Sequence, residues 1–262
     1  MALLFRFRRR VDTAVPPERL PGLIRRWLAA WPQLELFEQD HLTELTGEMV
    51  RSLRWEASRG FAITDDMRVA VAAHAALLVL GFDNGLESYH DVSSVIIHPS
   101  TIVRRGTRSL GFADLHTDDP EPIIGEAHHR GPVLVSWDSA AFQARAPQLG
   151  ENVLFHEFAH RLDMLDGVSD GTPFLADQAA LDQWVEICTE SYERLRNGGQ
   201  GDGGQGDGGQ ASVLRPYAAT NPSEFFAVAT EVFFTIPTAL RDAEPELYDV
   251  LRSYFRQDPS AR

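Results

Sequence analysis

The sequence predicts an α+β fold, mostly helical, with a small mixed sheet next to one central helix. Three observations predict it. Apolar residues recur at helical spacing along most of the chain. Two β-branched stretches, 92–103 and 132–138, fall in its middle. The second leads towards residues 152–167, an apolar run with two histidines four residues apart. A chain of 262 residues buries a sizeable core. The pattern reads as one domain over residues 16–257, behind a basic, poorly ordered tail at 1–15.

The first helix is expected over 18–30, after Pro16 and Pro17, with Leu20, Leu23, Ile24, Trp27 and Leu28 as its stripe. Pro32 ends it. A second helical stretch, 37–57, carries Leu42, Leu45, Met49, Val50 and Leu53, with His41 on its surface. Thr64 then caps a third helix, with Asp65 and Asp66 in its first turn. That helix stops at Gly81 and is apolar nearly all round, so it is expected to be buried. His74 within it reads as a core histidine satisfied by a hydrogen bond rather than as a ligand.

The texture changes after Gly85. Residues 92–103 read as one or two strands around Pro99, with His98 structural. Residues 104–122 read as a long loop or hairpin, and 123–127 as a short strand. His128 and His129 point in different directions and read as a loop pair. Residues 132–138 are a strand, placed where a peptide could add to a sheet edge. After the 152–167 helix, 175–197 is a helix with Leu181, Trp184, Val185, Ile187, Tyr192 and Leu195 as core positions.

Residues 198–210, GGQGDGGQGDGGQ, cannot bury a core and read as a flexible surface loop. They lack the lysine and preceding strand of a phosphate-binding loop. Two copies of an acidic repeat are too few for a calcium solenoid. Asn221 caps a helix over 222–234 with Pro222 at its first position, and Pro237 ends it. A last helix covers 245–255.

Composition bounds the function. Twenty-four basic and 38 acidic residues give a net charge of −14, which argues against nucleic acid as a partner. All the basic residues are arginine. The lone cysteine, Cys188, excludes a disulfide framework and any cysteine-rich metal site, and it fits a reducing compartment. The start lacks signal-peptide order, and the longest apolar run, 69–80, is too short to span a bilayer. The expectation is a cytoplasmic protein with no membrane partner.

The chemistry sits in NVLFHEFAHRLDMLDG, residues 152–167. His156, Glu157 and His160 form H-E-x-x-H. Residues four apart lie about 40° apart around a helix axis, so both imidazoles can reach one metal ion. Glu157 lies beside that metal, where it can deprotonate a polarised water. Burying two histidines and a glutamate without a metal is costly, and Zn2+ would remove the cost. A catalytic zinc needs a third protein ligand and an open position. No histidine follows at the metzincin spacing. Glu224, in the first turn of a separate helix, is the best candidate. Glu231, seven residues on, is either a ligand instead or an acceptor for a ligand histidine. Asp163, on the same face as both histidines, is either another such acceptor or a surface carboxylate.

At these residues the chain resembles the Mlc titration factor A family of zinc peptidases. The resemblance rests on HEFAHRLD at 156–163 and YAATNPSEFFAV at 217–228. It extends to AALLVLG at 75–81, VIIHPS at 95–100, GPVLVSWD at 131–138 and GENVLFHEFAH at 150–160, and covers roughly residues 20–255. The Tyr-x6-Glu-Phe-Phe-Ala element also resembles the catalytic domain of anthrax lethal factor. The resemblance implies a zincin-like fold of gluzincin type. It implies one Zn2+ held by His156, His160 and Glu224, Glu157 as general base and Tyr217 on the oxyanion side. It implies peptide substrates, with aminopeptidase-like action on short peptides. It also implies an alternative role, binding and titrating a transcriptional repressor of sugar uptake. The 198–210 loop departs from the family pattern as an insertion between the two halves of the site.

Overall fold

The computed structural model describes residues 15–57, 60–100, 131–198 and 212–262. The expected features at 104–127, the His128–His129 pair and residues 199–210 lie outside the described residues, as does the basic tail up to residue 14. Val15, assigned to that tail, is buried in the core.

Helix α1 spans Leu20–Trp27 and buries Leu20, Leu23, Ile24 and Trp27. It ends three residues earlier than expected, because Leu28 is already extended. Helix α2 spans Leu36–Ser52, started by reciprocal hydrogen bonds between Glu35 and Glu38. The expected helix to residue 57 is a correction. Leu53 turns extended, and Arg54–Ala57 forms strand β1 instead. There Trp55 and Glu56 pair with Val95 and Ile96, a tertiary pairing that outweighs local helix preference. Helix α3, Asp65–Leu78, starts at the Thr64 cap and is buried along nearly its whole length. His74 inside it donates from Nδ1 to the Ala70 carbonyl at 2.7 Å and packs on Phe155, as expected of a satisfied core histidine.

Strands β2, Ser94–His98, and β3, Val133–Ser136, complete a sheet ordered β1-β2-β3. All pairs are parallel, with Val95 opposite Val133 and His98 opposite Ser136. Among the described residues the sheet is parallel, where a mixed one was expected. The connection from β1 to β2 runs through α3, and a helical crossover returns the chain in the same direction. The expected 132–138 strand is also shorter, since helix α4, Trp137–Gln143, begins inside it. Asp138 in its first turn accepts from the Ser136 hydroxyl and the Ser139 backbone.

Helix α5, Val153–Asp163, carries the motif. It packs between α3, β3 and helix α7, Pro222–Thr235. Twelve consecutive residues of α7, Ser223 to Phe234, are buried, so α7 is central as well as α3. Helix α6, Gln178–Gly198, is amphipathic rather than deeply buried. Trp184 is its buried anchor, whereas Val185 is 48% exposed, contrary to expectation. Pro237 does more than stop α7. It begins helix α8, Pro237–Ala243, in the first-turn position where a missing N–H is harmless. Helix α9, Pro245–Phe255, closes the fold over an aromatic cluster of Trp184, Phe226, Phe233, Tyr254 and Phe255. Among the described residues no single helix is long and apolar enough to cross a membrane.

Candidate metal centre

Two asparagine caps aim the site. The Asn152 side chain accepts from the Leu154 and Phe155 backbones and starts α5. The Asn221 side chain accepts from the Glu224 backbone and starts α7, with Pro222 at its first position. Leu154, Phe155, Phe158, Ala159 and Leu162 fix α5 in the core. His156 and His160 therefore face the first turn of α7, which carries Glu224.

The three side chains meet. His156 Nε2 lies 3.2 Å from His160 Nε2. Glu224 Oε2 lies 3.1 Å from the first nitrogen and 3.6 Å from the second. The far side of each ring is held by an acceptor. His156 Nδ1 donates to Glu231 Oε1 at 2.7 Å, since a carboxylate can only accept. His160 Nδ1 donates to Ser223 Oγ at 3.0 Å, because the Ser223 hydroxyl spends its own proton on Asp163 Oδ2 at 2.6 Å. Both Nδ1 atoms are thus protonated, so each ring in its neutral form presents a lone pair at Nε2.

With both rings neutral, two lone pairs and a carboxylate oxygen converge. Glu224 Oε2 is buried without a hydrogen-bond partner. Such a donor set fits a divalent cation, and two nitrogens with one carboxylate oxygen suit zinc. His156, His160 and Glu224 are the residues that could hold it. Without a cation, burial opposes charge on His156. The nearby carboxylates of Glu224 and Glu231 outweigh burial and push its pKa up to about 10. A proton then stands where a cation would. Burial also opposes charge on Glu224, but the two histidines pull it down to about 2. It is therefore an anion at neutral pH.

Glu157 is buried beside this group. Burial raises its pKa to about 7, against the charges of His156 and Arg161, while Glu224 and Glu231 push the same way as burial. A carboxylate with that pKa can take and return a proton near neutrality. Tyr217 lies on a short 3-10 turn, Pro216–Ala219, with its ring 6.1 Å from that of His156. Its hydroxyl is buried and unpartnered among the described residues. Burial first, then Glu224, raises its pKa, so it stays a proton donor.

The two open sequence questions about nearby carboxylates have structural answers. Glu231 sits behind His156 and is 1% exposed; it accepts from the Asn152 backbone, His156 and Arg215. Asp163 is fully buried rather than a surface carboxylate. It accepts from Ser223, Ser169 and the Gly171 backbone. Cys188 stays clear of this chemistry, its thiol pushed up to about 12 by burial. Sequence reasoning missed Ser223, Arg215 and Gly171. Ser223 could have been flagged by its place beside Glu224, on the same first turn. Nothing in the turn-rich stretch around Gly171 marks it out.

Comparisons with known proteins give a family and named relatives. The family model described as glucose-regulated metallo-peptidase M90 matches residues 4–256. An uncharacterized protein of Synechocystis sp. is 35% identical over 201 residues, 76% of this chain and 69% of that protein. Mlc titration factor A of Serratia proteamaculans is 29% identical over 230 residues, covering 86% and 82% of the two chains. The protein of the same name from Pectobacterium atrosepticum is 27% identical over 229 residues, covering 86% and 81%.

Proposed function

Because the chain belongs to the glucose-regulated metallo-peptidase M90 family, we propose that it is a zinc-dependent peptidase of gluzincin type, with His156, His160 and Glu224 as its metal ligands. The observation that carries the reading is the convergence of His156 Nε2, His160 Nε2 and a buried Glu224 oxygen, 3.1 to 3.6 Å from one another. A zinc ion bound there would polarise a water and a scissile carbonyl. Glu157 takes the proton of the attacking water and gives it to the leaving amine. The Tyr217 hydroxyl donates a hydrogen bond to the oxygen that gains charge. Strand β3, which packs against α5 and is the last strand of the described sheet, suits a peptide laid along its edge. The preference for short peptides from their amino end rests on the resemblance alone.

A second reading is that the chain binds a transcriptional repressor, with hydrolysis secondary. It is supported by the name that the Serratia and Pectobacterium relatives carry, Mlc titration factor A. One experiment addresses both. A peptide library is incubated with wild type, with wild type plus a chelator, and with Glu157→Gln. Cleavage should occur only in the first, and Glu157→Gln should lose about 100- to 10,000-fold in rate while keeping its metal. Full cleavage by the metal-loaded Gln variant would remove Glu157 from its role. A Gln variant that still performs the cellular task would favour the repressor reading.

A further inference from the structure

Glu231 binds three donors with two oxygens. Its Oε2 accepts from the Asn152 backbone at 2.6 Å, at the start of α5. Its Oε1 accepts from His156 Nδ1 at 2.7 Å and from Arg215 Nη2 at 2.6 Å. With a metal on Nε2, the backbone donor and the neutral imidazole bring no net charge. Arg215 alone matches the buried carboxylate with a cation, from a side chain 25% exposed. It also comes from a different part of the chain, the residue immediately before the turn of Tyr217. The rest of the guanidinium lies against the Tyr217 ring, 5.7 Å from its centre, within the range of a cation–π contact. Its Nη1 is buried and has no hydrogen-bond partner among the described residues.

We infer that Arg215 is a positioning residue for the metal: it pins Glu231 Oε1 where His156 Nδ1 must donate, and so holds His156 Nε2 towards the ion. The inference rests on the metallopeptidase reading above. A carboxylate held at one oxygen by the Asn152 backbone and at the other by both the His156 imidazole and the Arg215 Nη2–H is fixed in one orientation. Without the guanidinium, Oε1 keeps only the imidazole it is meant to orient, and a buried charge is left unpaired. Residues that orient metal-binding histidines through a hydrogen bond commonly change metal affinity 10- to 100-fold. An ion pair with only a structural role would lower the melting temperature and leave that affinity alone.

The test is a cycle on the full chain: wild type, Arg215→Met, Glu231→Gln and the double variant. Zn2+ affinity is measured by competition with a chromophoric chelator, alongside the melting temperature of each metal-free protein. Arg215→Met should bind Zn2+ about 10- to 100-fold more weakly, and Arg215→Lys should recover part of the loss. The double variant should bind about as well as Glu231→Gln alone, because Arg215 acts through Glu231. Wild-type affinity in Arg215→Met, or losses that multiply in the double variant, would overturn the inference. If Arg215→Met does not melt cooperatively, the same cycle run with Arg215→Gln decides by the same criterion. A wild type that binds no Zn2+ at all would instead sink the metal site on which the inference stands.

Discussion

Each histidine of the candidate site is oriented by a different kind of partner. His156 leans on a buried carboxylate, Glu231, whereas His160 leans on a hydroxyl, Ser223, that passes its own proton to Asp163. Ser223→Ala removes the acceptor and leaves His160 free to turn. Zn2+ affinity should fall about tenfold, with the far-ultraviolet circular dichroism unchanged; undiminished affinity would mean that packing alone holds the ring. His74 shows how the same residue type behaves without a metal. Burial lowers its pKa to about 4, against the hydrogen bond to Ala70 that raises it. The folded chain therefore refuses a proton that the unfolded chain accepts from about pH 6.5 downward. Its contribution is present above that pH and is lost as pH falls towards 4. At pH 5 the loss is about 2 kcal/mol. Urea denaturation of metal-loaded wild type and His74→Gln at pH 7.5 and pH 5 should show that much less pH dependence in the variant.

The site depends on α5 and α7 meeting at a fixed angle, and a glycine sets the spacing at one end. Gly171 has φ +80, a conformation that side chains rarely adopt, and a Cβ there would sit 2.3 Å from the Pro222 carbonyl oxygen. Its N–H goes to Asp163, and its carbonyl accepts from the Trp184 indole. One residue thus ties the end of α5 to α6 and to the turn of α7 that bears Ser223 and Glu224. Gly171→Ala should cost about 2–4 kcal/mol, from backbone strain and displacement of that turn. It should also weaken metal binding, readable as a lower melting temperature both with and without Zn2+. Equal melting temperatures for variant and wild type would show that the turn yields freely. The caps that build these helices are legible in sequence, since Asn221, Pro222 and Thr64 carry the local chemistry that starts a helix. Gly171 is not, because its requirement comes from a chain segment 51 residues away.

Over the whole molecule, the helices with strong stripes or clear stops were readable, α9 to the residue. The misreadings share a cause. Arg54–Ala57 joins the sheet because Val95 and Ile96 lie beside it, and β3 gives way to α4 because Trp137 finds Trp27 at 5.0 Å. Neither neighbour is visible from a local window. The same limit applies at the site. H-E-x-x-H is a local pattern and could be read directly. Which distant carboxylate joins it required either the family resemblance or the fold, and the orienting contacts of Ser223 and Arg215 required the fold. A metal bound between α5 and α7, as proposed, would also link chemistry to stability, since an ion that binds only the folded chain stabilises it.

The most direct measurement is the metal content of wild type, Glu224→Ala and Glu231→Ala, each purified without added metal. Wild type should hold about one zinc per chain, as a single site of two imidazoles and a carboxylate requires. Glu224→Ala should lose most of it, whereas Glu231→Ala should keep more, as expected for a residue that only orients a ligand. Wild-type zinc content in Glu224→Ala, or loss confined to Glu231→Ala, would contradict the assignment of the third ligand.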